Sequence, residues 1–213
     1  MVTGDPGPTL PMSMATDDGP DGPWVIPEAG WVCPECGFDF DACDPGETPA
    51  LLRAFPDRYR VPLERGLPGE DLDAILRARS SPTTWSALEY ACHARDSFAL
   101  YDERVTTTMK EDRPSFPRMR RDELVVERDY NHQDPAEVLT GIRAAIRALA
   151  VELEYVRDDG WDRRAYRDDL EMSVAWMARN AVHEGRHHLL DIGRALRAAR
   201  QAGRAGRRSR PVA

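Results

Sequence analysis

Apolar positions recur at helical spacing along most of the chain, and nothing reads as a convincing strand. Leu51, Leu52, Phe55 and Tyr59 mark a first helix behind Thr48, which can cap, and Pro49, which suits the first helical position; Pro56 and Pro62 must bend or interrupt it. A short helix over 70–77 carries Leu72, Ile75 and Leu76 on one side. The second long helix opens on Ser86 as cap with Glu89 to complete a capping box and Trp85 to staple onto Tyr90. Leu88, Ala91, Cys92, Phe98, Val105 and Met109 continue its inward face, and Pro114 follows its end.

After a long polar connection over 113–133, Asp134 and Pro135 open a third helix whose stripe, Val138, Ile142, Ala145, Ile146, Leu149 and Leu153, is the clearest in the chain. The fourth, over 169–200, turns Met172, Trp176, Met177, Ala181, Leu189, Ile192 and Leu196 inward. The pattern predicts an all-α protein, a four-helix bundle over 47–200, with the long middle link allowing a crossover connection. Residues 1–30, rich in Pro, Gly and Asp, read as a disordered leader, 31–46 as a compact cysteine-containing knuckle, and 201–213 as a basic flexible tail without assigned function.

Composition changes this picture little. With 41% hydrophobic and 31% charged residues in 213, the chain can bury a core, and no stretch reaches the ~18 apolar residues of a membrane helix. The net charge of -8 argues against nucleic-acid binding, and the N-terminus lacks the pattern of a secretory signal, so a cytoplasmic protein with no nucleic-acid or membrane partner is expected. Lys110 is the only lysine among many arginines, a usage that hints at a high-GC bacterium.

Candidate chemistry rests on histidine and cysteine. His183 and His187, four residues apart, project from one helix face and can share a metal. His93, inside the capped second helix, is the natural third donor, because His132 sits in a polar loop and His188 points about 100° away from His187. Three neutral imidazoles would leave Zn, Ni or Fe its double charge and an open position that favours an anion. Zinc is the first expectation. Glu89, Asp96, Glu184 and Asp191 are the acceptors near enough in sequence to orient the rings. Against this stands the plain reading of H-x-x-x-H as chance on a surface helix.

Cys33-Pro34-Glu35-Cys36-Gly37 is the turn of zinc ribbons and rubredoxins. Three readings stay open: a zinc site of Cys33, Cys36 and Cys43 completed by another ligand or a second chain, a redox-active dithiol, or a packed turn. Cys92 is more simply a core residue.

The runs WSALEYACHARD and NAVHEGRHHLLDIGR resemble the DinB/YfiT-like superfamily, four-helix bundles with one histidine on the second helix and H-x-x-x-H on the fourth. The resemblance spans 47–200 and implies a metal on His93, His183 and His187. It further implies a small-molecule thiol and an electrophile as partners: some members are mycothiol- or bacillithiol-dependent transferases or maleylpyruvate isomerases, and many dimerise, so a homodimer is one expectation. The arginine-rich, actinobacterial character favours mycothiol. Isomerases of this family have a carboxylate in place of the first ligand on the fourth helix, where this chain has His183, a departure that counts against that activity. A metal-dependent thiol S-transferase is the resulting expectation, with a non-catalytic metal-binding protein or a mycothiol-dependent maleylpyruvate isomerase-like enzyme as the alternatives.

Overall fold

The structure, a computed structural model, describes residues 30–168 and 170–208. The expected leader therefore lies outside the described residues except for Gly30, and so do 209–213 of the expected tail. Helices dominate: α1 (Thr48–Arg53), α2 (Phe55–Glu64), α3 (Leu72–Arg77), α4 (Ala87–Lys110), α5 (Arg121–Glu127), α6 (Pro135–Glu154) and α7 (Val174–Arg208). The first expected helix is split in two at Ala54, which ends α1 and precedes α2. Pro56 explains the break, since its ring lacks an N–H to donate and crowds the carbonyl one turn back. Pro62 lies inside α2 without ending it.

Helix α4 packs against both α6 and α7, while α1 and α2 lie across the same two helices and close the fourth corner of the bundle. The core follows the predicted stripes. Val138, Ile142, Ile146, Leu149 and Leu153 of α6 and Leu88, Ala91, Cys92, Phe98 and Val105 of α4 are buried. Among the described residues no helix is long and apolar enough to cross a membrane.

Three short strands were not legible in the pattern. β1 (Ser115–Phe116) runs parallel to β2 (Arg164–Arg167), which pairs antiparallel with β3 (Leu170–Ser173). They cover two to four residues each and bury only alternate side chains, Ala165 and Met172 among them, so alternation is too brief to register as a period. Consequently α7 begins at Val174 rather than near 169, with Ser173 accepting from the Trp176 amide at 3.0 Å in the manner of an N-cap. At its other end α7 runs on to Arg208, into the segment expected as tail.

Gly185 sets how closely α2 can approach α7. A Cβ there would meet Phe55 at 2.8 Å from Cε2 and 2.9 Å from Cζ, and Tyr59 donates to the Gly185 carbonyl at 3.0 Å. Phe55 and Tyr59 are both buried and have little room to retreat. Gly185→Ala is expected to cost ~1–3 kcal/mol, the range for overpacking, read from urea denaturation midpoints at constant slope. An unchanged midpoint would mean that α2 is free to shift outward.

Candidate metal centres

The capping box at the start of α4 is formed: Ser86 accepts from the Glu89 amide at 3.2 Å and Glu89 accepts from the Ser86 amide at 2.7 Å. Two turns on, His93 is buried between Trp85, with ring centroids 5.1 Å apart, and His188 of α7, at 4.8 Å. Burial pushes its pKa down to about 3, so the ring is neutral and offers a lone pair. Its Nε2 lies 3.4 Å from the Ser97 hydroxyl, and its Nδ1 has no hydrogen-bond partner.

Helix α7 supplies the rest of this group. His93, Glu184 and His188 each place a donor atom within 4.8 Å of the others. His188 is held at both ring nitrogens, 3.1 Å from Asp191 at Nδ1 and 3.1 Å from Glu184 at Nε2. Burial disfavours charge on this ring, but the hydrogen bonds and charges of Asp191 and Glu184 prevail and push its pKa up to about 9. Burial likewise opposes ionisation of Glu184, yet the His188 hydrogen bond and the charges of the neighbouring imidazoles hold it well below the usual carboxylate range. The group is thus built to attract positive charge. An ion that displaced the Nε2 proton would leave Nδ1–H on Asp191 and the lone pair of Nε2 turned toward Glu184 and His93.

That arrangement answers which acidic residue orients a ring. Asp191 does, and Glu184 stands among the donors themselves. Glu89 is taken up by the capping box and by Arg79, 2.8 Å away. Asp96 is taken up by Arg95, Arg128 and Tyr130.

On its adjacent face α7 presents His183 and His187 to the knuckle, where Cys33 and Cys36 complete a second group of four donors within 4.8 Å of one another. The knuckle turns at Gly37, with φ +66°, closed by hydrogen bonds from the Gly37 amide to the Cys33 carbonyl and from the Cys33 amide to the Phe38 carbonyl, each 2.8 Å. Val32 and Asp39 pair across it as an isolated bridge. Trp31, Phe38 and Phe40 surround His183 with ring centroids at 5.8, 5.6 and 5.3 Å. Burial brings the His183 pKa down to about 4, against the pull of Glu184. Glu35 of the knuckle pairs with Arg194 of α7, and Arg179 of α7 donates to the Cys43 carbonyl at 2.7 Å.

The three histidines expected to share one ion are therefore distributed over two groups. The structure does not bring His93 together with His183 and His187. The cause is helical register. Neighbouring residues on a helix are turned by about 100°, so only one of the pairs 183/187 and 184/188 can face α4, and it is the latter. Cys43 also stays outside the donor group: it is buried, its sulfur 3.9 Å from the Asp44 carbonyl. Cys92 is a core residue as expected, with its thiol pushed up to about 12 by burial. His132 pairs with Asp129 on the surface. A smaller group of Glu35, His187 and Asp191 shares His187 with the knuckle group.

Residues 65–192, more than half of the chain, match the family model of the DinB superfamily. The chain belongs to the DinB superfamily. The solved structure of YfiT from Bacillus subtilis, described as a probable metal-dependent hydrolase with an unusual four-helix bundle topology, is similar to it with a TM-score of 0.65. The two share 17% identity over 86% of this chain and 96% of that one, a likeness of fold. No curated protein matches the sequence.

Within this DinB bundle the first group fits a divalent ion on its own chemistry. It offers two imidazoles and a carboxylate, converging from α4 and α7, with one buried nitrogen, Nδ1 of His93, lacking any partner. Glu184 and His188 keep 20% and 12% of their side chains exposed. The matched family segment starts at residue 65, so the knuckle lies outside it. A signal for the observed register was present in the sequence as E-x-x-x-H beside H-x-x-x-H, one residue out of phase.

Proposed function

We propose that this DinB protein is a metal-dependent thiol S-transferase, activating a low-molecular-weight thiol, mycothiol in the first instance, for attack on an electrophile. The observation that supports it is the convergence of His93, Glu184 and His188, whose donor atoms lie within 4.8 Å of one another. Three protein donors leave a divalent ion at least one position for an incoming ligand. Glu184 cancels one of its two charges, so a singly charged thiolate completes neutrality.

When bound there, a zinc, nickel or iron ion lowers the pKa of a coordinated thiol and keeps it as thiolate at neutral pH. The chain's own part is placement. His93 is fixed by packing against Trp85, and His188 by Asp191 behind it and Tyr90 stacked on it at 5.9 Å. The thiol sulfur then bonds to the electrophilic carbon as the leaving group departs with the bonding pair, and the thiol proton is released to solvent.

A second reading is favoured by Glu184. The departure at His183 counted against the isomerases of the superfamily, but the residue that faces α4 is the carboxylate Glu184. On that reading the thiolate adds to an activated carbon–carbon double bond, the single bond so formed rotates, and elimination returns the thiol unchanged.

The test is incubation of the purified chain with mycothiol, bacillithiol or glutathione and a bromobimane electrophile, with Zn2+, Ni2+ or Fe2+ and with chelator. Metal-dependent conjugation that chelation reverses is expected. Absence of conjugation with every thiol, while ion binding at His93, Glu184 and His188 persists, rejects the transferase. Thiol-dependent cis–trans conversion of maleylpyruvate, or hydrolysis of the kind ascribed to YfiT, would then assign the site instead.

A further inference from the structure

The knuckle and α7 meet in a donor set that the thiol chemistry leaves unused. The geometry points to a second metal site, a closed structural zinc centre formed by Cys33, Cys36, His183 and His187, that fastens the knuckle to the helix carrying Glu184 and His188.

Four independent features converge on it. The donors are two sulfurs and two imidazoles, the set that structural zinc takes with no position left for substrate. Two thiolates neutralise the ion, so the site needs no further charge. Their separation also suits it: the Cys33 sulfur lies 3.6 Å from His187 Nδ1, and a tetrahedron with Zn–S of ~2.3 Å and Zn–N of ~2.05 Å has an S–N edge of ~3.6 Å.

His183 supplies the third feature. Neither of its ring nitrogens has a hydrogen-bond partner, although both are buried. Its neighbours Trp31, Phe38 and Phe40 present ring faces and edges that cannot satisfy both nitrogens. A buried polar group left in this state costs ~1–3 kcal/mol, and a bond to an ion removes that penalty at one nitrogen. The last feature is the turn itself. The Phe38 backbone amide donates to the Cys36 sulfur, in the manner of a knuckle whose amides point at its sulfurs.

Such a site explains why the chain carries two overlapping i, i+4 pairs on α7. Residues 183 and 187 face the knuckle while 184 and 188 face α4, so each pair serves its own donor group. Glu35 and Arg194 reinforce the same junction from its edge. Cys43, one turn of chain further on, has no part in it.

The proposal is tested by titrating the metal-free full-length chain with Co2+ alone. The wild type is expected to develop a near-ultraviolet thiolate-to-cobalt band together with the intense visible bands of four-coordinate cobalt, with the intensity of one thiolate-bound ion per chain and displaced by Zn2+. The band should survive intact in Cys43→Ser and His188→Ala and be lost or weakened at least tenfold in affinity in His183→Gln. A wild-type chain that binds cobalt without any thiolate band overturns the proposal, whether or not cysteine variants fold. So does a band that Cys43→Ser erases or that His183→Gln leaves untouched.

Discussion

His188→Ala is expected to weaken ion binding in the bundle by at least about 100-fold and to abolish metal-dependent conjugation, whereas His187→Ala should leave both in place. The reasoning is one of register. Loss of a residue that merely orients a ligand costs ~10–100-fold in affinity or activity, and loss of a ligand should cost no less. His188 also anchors Glu184 through its 3.1 Å contact, so truncation both deletes a donor and releases a second one. His187 instead lies 3.6 Å from the Cys33 sulfur and belongs to the knuckle centre. Cobalt separates the two effects, because an ion bound by His93, Glu184 and His188 carries no thiolate band. Loss of conjugation in His187→Ala but not in His188→Ala, with the thiolate band kept in His187→Ala, would restore the three-histidine site and defeat the register argument.

The bundle was legible because its helices obey local rules that tertiary contacts only confirm. Ser86 and Glu89 cap α4, Asp134 and Pro135 open α6, and the α6 stripe from Val138 to Leu153 is buried along its length. These signals act within one or two turns and survive in a bare sequence. The sheet was hidden for the opposite reason. The pairing of Ser115 with Tyr166 joins residues far apart in sequence, and neither segment is long enough to show alternation.

The site was half legible. His93 could be placed inside a capped helix, and α7 was identified as the element carrying its partners. Which face of α7 turns to α4 could not be decided between 183/187 and 184/188, since both pairs have the same spacing and the choice is one helical step. The knuckle resolves it. His183 packs under Trp31, Phe38 and Phe40 while His187 meets the Cys33 sulfur, and no local pattern reveals that a segment some 150 residues away covers that face. The missing ligands of the Cys33–Cys36 turn and the surplus histidines of α7 were two halves of one puzzle, each read separately.

Stripping metal from the intact protein is expected to open the knuckle and spare the bundle. The knuckle buries few side chains of its own, Cys33, Phe38, Phe40 and Cys43, beside a single isolated bridge. That is little to set against the entropy of ordering its backbone, so the ion should carry most of its stability. Helices α4, α6 and α7 bury many more apolar side chains of their own, Leu88, Phe98, Ile142, Ile146, Leu149 and Met177 among them. Chelation should therefore raise amide exchange of Cys33 and Gly37 by on the order of 100-fold, about 3 kcal/mol of local stability, while amides of Ile142 to Leu149 in α6 keep their protection. Trp31, released from His183, should report the same event by a fluorescence shift at unchanged helical circular dichroism. Exchange of the knuckle amides unaltered by complete metal removal would show that packing alone holds the segment, and the zinc clasp would lose its physical purpose.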